Sequence, residues 1–128
     1  VTRLMTNSVS CTSVFSQMAA IAALEGPQDS VAAMMEEFTK RRDLVVEGLN
    51  SLPGITCPVP KGAFYAFPNI RATGMSSQEF ANKALYEAGV ALLAGTAFGA
   101  FGDGYIRISF ANSQENLLEA IERLRKIL

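Results

Sequence analysis

The apolar positions of this chain change period several times, and each change marks an element. Residues 1–11 are polar without a period and read as a loop. The stretch 14–24 (VFSQMAAIAAL) is almost entirely helix formers and carries no charge, with Thr12 or Ser13 as its candidate N-cap. A helix without charge is normally buried on most sides. Gly26 and Pro27 break it. Across 28–52 apolar residues recur every three or four positions: Val31, Met34, Met35, Phe38, Val45, Leu49 and Leu52. That spacing predicts a long helix with these residues, Met34 and Met35 included, in the core. Glu36, Glu37, Lys40, Arg41, Arg42 and Asp43 fall on its solvated face.

Beyond Pro53 and Gly54 the pattern shortens. Two strand candidates, 55–59 (ITCPV) and 63–67 (AFYAF), flank a turn at Pro60, Lys61 and Gly62. Pro58 puts the first at an edge. Both faces of the second are apolar, so it is expected to be covered on both sides. Ser76 and Glu79 have capping-box spacing and open a helix whose inner positions are Phe80, Ala84, Leu85 and Ala88, ended by Gly89. A strand at 90–93, a loop at 94–104 with four glycines in eleven residues, and a strand at 105–110 (YIRISF) follow. Asn112, with Glu115 three residues on, opens a last helix at 113–128, lined inside by Leu117, Leu118, Ile121, Leu124 and Leu128. The order α-α-β-β-α-β-β-α predicts an α/β (α+β) fold, a small open sheet with helices packed on it.

Composition narrows the picture. The chain is 49 % hydrophobic and only 18 % charged, below the usual quarter. Either part of its surface is covered by another domain or subunit, or it is a compact domain with a poorly charged surface. A net charge of −1 without a basic run argues against nucleic acid as a partner. No apolar stretch approaches the ~18 residues of a membrane span, and no secretory pattern is visible, so a cytoplasmic protein is expected. The chain begins at Val1 rather than Met, as a piece of a longer protein would. Cys11 and Cys57 are far apart and read as two reduced side chains. With no histidine, a His-dependent triad is excluded and no metal site is predicted.

Arg107 is the most informative residue. In a strand over 105–110, Ile106, Ile108 and Phe110 share one face, and Tyr105, Arg107 and Ser109 the other. An arginine held mid-strand presents a rigid fork suited to a carboxylate. It would equally serve on a solvated face or in a structural ion pair. Gly95, Gly99, Gly102 and Gly104 match neither the dinucleotide nor the P-loop spacing. Their loop either brings Phe98 close to a ligand or only punctuates turns. Tyr65 is read as a polar tip at a cleft or as a core tyrosine.

Four segments carry a resemblance: 10–17 with the Ala-rich helix after it; Arg41, Arg42 and Asp43 with Leu49; 60–65 (PKGAFY); and 95–98 (GTAF) leading to 105–109 (YIRIS). In this order they resemble the C-terminal part of class I aminotransferases of the aspartate-aminotransferase fold. The resemblance implies amino transfer between an amino acid and a 2-oxo acid through pyridoxal phosphate. It implies that Arg107 binds the substrate α-carboxylate with Phe98 nearby, and that residues 1–25 end a large domain while 26–128 form the small domain. It also implies a homodimer, with Ser10 and Cys11 near the neighbouring subunit; many relatives have Ser-Asn there, so Cys11 departs from the pattern. The family's Schiff-base lysine follows a Ser-x-x-Lys type pattern, and none of Lys40, Lys61, Lys83 or Lys126 lies in one. No catalytic residue is therefore expected in this chain, and the chain alone is expected to be inactive. The other readings are a free-standing amino-acid- or carboxylate-binding module, built on Arg107, Ser109 and Tyr65, and a structural dimerisation domain.

Overall fold

A computed structural model describes residues 2–8 and 11–128. The chain forms two compact units, Val1–Ala33 and Met34–Leu128.

The first unit holds α1 (Thr2–Ser8), α2 (Val14–Glu25) and the start of α3 (Asp29–Asn50). α1 stands where the polar composition predicts a loop. Leu4 and Met5 favour a helix, and the Thr6 hydroxyl is satisfied by the Thr2 carbonyl one turn back, at 2.9 Å. Ser13 is the N-cap residue of α2, with φ −59 and ψ 147, but its side chain accepts no backbone N–H. Its hydroxyl meets that of Ser16 at 2.8 Å instead, and the Gln17 amide reaches back to the Thr12 carbonyl at 2.7 Å. α2 buries none of its residues. Phe15 and Leu24 are 79 % and 82 % exposed, which corrects the expectation of a helix buried on most sides. Its apolar residues surround the axis instead of forming one stripe, and within this chain they are left uncovered.

The second unit carries the core. Its sheet consists of β1 (Tyr65–Ala66), β2 (Leu93–Ala94) and β3 (Ile106–Ser109), with α4 (Ser77–Tyr86) and α5 (Gln114–Arg125) as its remaining helices. The strand order is β1-β3-β2, so the last strand lies in the middle. Both pairings are antiparallel, with Tyr65 opposite Ser109 and Leu93 opposite Arg107. Val45, Leu49, Ile70, Phe80, Ile106, Phe110 and Leu124 are fully buried or nearly so. Each such side chain contributes about 1.5–3 kcal/mol relative to an exposed one.

Only the C-terminal half of α3 reaches this core. Met34 and Met35 are 52 % and 58 % exposed, contrary to their assignment to the apolar stripe. A 22-residue helix is about 33 Å long, whereas the four-residue β3 spans only about 13 Å. Within the second unit, packing of α3 against the core begins at Phe38. Leu85 and Leu118 are also exposed; each is turned by about 100° from a buried neighbour, Ala84 or Leu117.

The strand candidate 55–59 reduces to a single bridge between Thr56 and Asn69. The Cys57 N–H donates to Asn50 Oδ1 at 2.8 Å, and Asn50 Nδ2 donates to the Cys57 carbonyl at 2.9 Å. This side chain takes both groups a strand partner would use, and Pro58 has no N–H to offer. The candidate 63–67 shortens to β1 because Ala63 adopts a left-handed conformation, φ 58. Ala66, Pro68 and Ile70 face the core while Tyr65 and Phe67 stay half-buried, so this strand is covered on one side only. The strand at 90–93 moves to β2.

Ser76 and Glu79 do form a reciprocal capping box. α5 is capped by Ser113 rather than Asn112: the Ser113 hydroxyl accepts the Asn116 N–H at 3.2 Å, and Asn112 Oδ1 accepts the Ser113 N–H. α3 and α5 are tied by Glu37, whose carboxylate accepts from Gln114 at 3.1 Å and from Arg41 at 2.8 Å. These bonds hold its pKa below the ordinary 4.5.

Candidate functional site: the Arg107 face of the sheet

The side chains of β3 alternate as the sequence pattern predicts. Ile106, Ile108 and Phe110 are buried; Tyr105 and Arg107 are half-buried, and Ser109 is exposed. The Arg107 guanidinium carbon lies 4.3 Å from the centre of the Tyr65 ring and 4.3 Å from that of Phe98. Two aromatic rings therefore lie against this cation at cation–π distance.

The two rings come from different elements and are braced separately. Tyr65 stands on β1, 4.5 Å from Phe64, which stacks on Phe38 of α3 at 6.1 Å. Phe98 stands on the glycine-rich loop and meets Phe67 edge-on at 5.9 Å. Phe67 stacks on Tyr105 at 5.5 Å, and the Arg71 guanidinium covers Tyr105 at 5.1 Å. A continuous row of rings and cations thus runs from Arg71 through Arg107 to Phe38 of α3.

The loop that delivers Phe98 is a built element. It holds two 3-10 turns, Gly95–Phe98 and Ala100–Gly102. The Gly95 N–H donates to the Tyr105 carbonyl at 2.8 Å. Gly95 and Gly102 pass so closely that a Cβ on either would collide with the carbonyl oxygen of the other. The buried Ser77 hydroxyl, from the first turn of α4, donates to the Gly102 carbonyl at 3.2 Å and accepts the Tyr105 N–H at 3.1 Å. Arg71 adds a bond to the Asp103 carbonyl at 3.2 Å.

Among the described residues no carboxylate pairs with Arg107; the ion pairs join Arg41 to Glu37, Arg42 to Asp43, Arg123 to Glu119 and Arg125 to Glu122. Its N–H groups, with the two rings beside them, meet no carboxylate among the described residues. A planar edge of parallel donors suits a carboxylate. The concavity of about 310 Å³ beside α5, lined in part by Asn116, Glu119 and Arg123, does not include Arg107.

The structure thus brings Arg107 and Phe98 together and adds Tyr65, Phe67 and Ser77. Tyr65 and Phe67 leave a faint signal in the sequence, since they alternate with the core residues Ala66 and Pro68. Ser77 leaves none, because its partners are 25 and 28 residues away. Ser109 shares the Arg107 face, but its hydroxyl accepts the Ala111 N–H at 3.2 Å. Cys11 is exposed and Cys57 buried, both as free thiols; Ser10 lies outside the described residues. Lys40 and Lys83 sit on helices, Lys126 at the end of one and Lys61 in the turn before β1, none on this sheet face. No group of His, Cys, Asp or Glu among the described residues is arranged to hold a metal, and no helix among them is long and apolar enough to cross a membrane.

Residues 2–124 match the family described as aminotransferase class I and II. The aspartate aminotransferase of Pyrococcus horikoshii is 48 % identical over 116 residues, which are 89 % of this chain and 30 % of that protein. The aromatic-amino-acid aminotransferase 2 of Thermococcus litoralis is 44 % identical over 123 residues, 94 % of this chain and 31 % of that protein. The crystal structure of the aromatic aminotransferase from Pyrococcus horikoshii superposes with a TM-score of 0.91 at 42 % identity, covering 98 % of this chain and 34 % of that one. The chain spans about a third of the length of these relatives. With the fold and nearly the whole sequence in agreement, this chain belongs to the class I and II aminotransferase family.

Proposed function

We propose that this chain is the C-terminal, small-domain part of an aspartate-aminotransferase-like enzyme, in which Arg107 binds the α-carboxylate of the amino-acid substrate. The complete enzyme would move an amino group between an amino acid and a 2-oxo acid. The carrying observation is the state of Arg107: a half-buried cation, with two rings against it, without a carboxylate partner among the described residues. A cation so placed is stabilised by an anion at its free edge. Fixing the carboxylate there orients the substrate's Cα toward the reacting centre.

Pyridoxal phosphate, the family's cofactor, supplies the electron sink of the reaction when bound. The lysines of this chain do not fit its amine anchor, since none shares the sheet face of Arg107. That anchor belongs upstream in a complete enzyme. In this reading residues 1–25 are the end of the large domain, and 26–128 form the small domain, whose closure over the substrate would exclude water. The exposed apolar surface of α2 supports this division, as it would be covered by the rest of a homodimeric enzyme. Ser10 and Cys11 would then lie near the neighbouring subunit.

Arg107→Lys in the complete enzyme tests the assignment. Lysine keeps the charge but loses the fork. The substrate KM should rise roughly ten- to a hundredfold, the cost of one charge-assisted hydrogen bond. An unchanged KM would refute the role. The 128-residue chain with added pyridoxal phosphate should show no transamination, and measurable turnover would refute the upstream position of the lysine.

A further inference from the structure

We infer that Tyr65 and Phe98 are positioning residues, a two-ring aromatic clamp that holds the Arg107 guanidinium in the one plane in which it can grip a carboxylate. The inference rests on the carboxylate-binding reading above and deepens it.

An arginine side chain has several rotatable bonds, and ordering them opposes binding. Arginines are usually ordered by an acidic partner, which would here occupy the donors a ligand needs. Arg107 has no such partner among the described residues. Its neighbours are rings instead, with the centres of Tyr65 and Phe98 each 4.3 Å from the guanidinium carbon. Rings attract the cation through their faces and accept none of its in-plane N–H bonds, so every edge donor stays available. The clamp thus pre-orders the cation and leaves its donors free.

Each wall is independently supported. Tyr65 is fixed by the sheet and by Phe64 behind it. Phe98 is fixed by the Gly95–Gly102 contact, by Ser77 and by the edge of Phe67. The Tyr65 hydroxyl bonds to no group among the described residues, whereas its ring lies against the cation. The ring is therefore the working part. Phenylalanine should replace Tyr65, and a branched aliphatic residue should not.

The test uses the 128-residue chain labelled with nitrogen-15, with succinate as a non-reacting carboxylate. The Arg107 Nε–Hε signal, identified by its loss in Arg107→Lys, should be displaced upfield by the two rings before any ligand is added. Succinate should move it further in a saturable titration. Tyr65→Leu and Phe98→Leu should each return the free signal toward the ordinary arginine position and raise the succinate Kd about tenfold, while Tyr65→Phe should preserve both readings. Buried Ile106 and Ile108 methyl signals, compared across variants, show that the fold is kept.

An Arg107 signal at its ordinary position in the unaltered chain would overturn the clamp without any variant. So would leucine variants that bind succinate like the parent. A Tyr65→Phe variant as weak as Tyr65→Leu would also overturn it, by giving the work to the hydroxyl. A parent chain whose displaced Arg107 signal does not respond to succinate would overturn the carboxylate reading itself.

Discussion

The hydroxyl of Ser77 donates to the carbonyl of Gly102 at 3.2 Å from a fully buried position. The same oxygen accepts the Tyr105 N–H. One side chain at the start of α4 therefore joins the glycine-rich loop to the first residue before β3, and so couples Phe98 to Arg107.

Ser77→Ala leaves the Gly102 carbonyl and the Tyr105 N–H without this partner. The Tyr105 N–H also donates to the Gly102 carbonyl at 3.2 Å, so neither group is orphaned and the loss is that of the Ser77 bonds, about 0.5–1.5 kcal/mol each. Urea unfolding should show a loss in that range at an unchanged slope. A loss below about 0.5 kcal/mol, the level of an ordinary surface substitution, would mean that water takes over both bonds.

Ala63 is the one non-glycine residue with positive φ among the described residues. For an L-residue with a Cβ this conformation costs roughly 1–2 kcal/mol. Ala63→Gly removes that strain but adds freedom to the unfolded chain, so a net gain of up to about 1 kcal/mol is expected. Ala63→Val should lose at least about 1 kcal/mol, because a β-branched residue tolerates this region poorly. Denaturant midpoints of the two variants should move in opposite directions.

Stability should fall at both ends of the pH scale, for different reasons. Glu37 is held below its ordinary 4.5, first by the Gln114 bond and then by Arg41. A depressed folded pKa gives stability that is present above the unfolded value and is lost as pH falls through the folded one. Gln114→Ala should therefore flatten the stability profile as pH falls below the ordinary 4.5 of this carboxyl. The Cys57 thiol is pushed by burial from 9.0 up to about 11. A raised folded pKa gives stability that is present below the unfolded value and lost as pH rises through the folded one. Cys57→Ala should flatten the alkaline limb while leaving the acid limb unchanged.

The 128-residue chain should self-associate through α2, where Phe15 and Leu24 are 79 % and 82 % exposed. Light scattering should show a mass that rises with concentration, and a Phe15→Glu, Leu24→Glu double variant should remain monomeric. A parent chain that stays monomeric at high concentration would contradict this prediction.

The parts of the fold that were legible in the sequence are those in which the signal is local. The Ser76–Glu79 box opens α4 because cap and partner lie within one turn. The alternation of Ile106, Arg107 and Ile108 gives the two faces of β3, since a strand repeats every two residues whatever its neighbours do. The break at Gly26 and Pro27 is likewise a property of those two residues.

The misread elements depended on partners distant in sequence. Residues 55–59 have strand composition, yet Asn50 takes the bonds of Cys57. Met34 and Met35 fit a core stripe, yet the sheet they would meet is too short to reach them.

By itself, then, the sequence determined the helices with strong caps, the two faces of the last strand and the choice of Arg107 as the candidate anchor, because each depends on bonds and periods spanning a few residues. Only the tertiary structure decided that Arg107 sits against Tyr65 and Phe98, that β3 is the central strand and that Ser77 ties the loop in place. These features join residues 9 to 44 positions apart, and no local propensity encodes contacts that appear only once the chain has closed on itself.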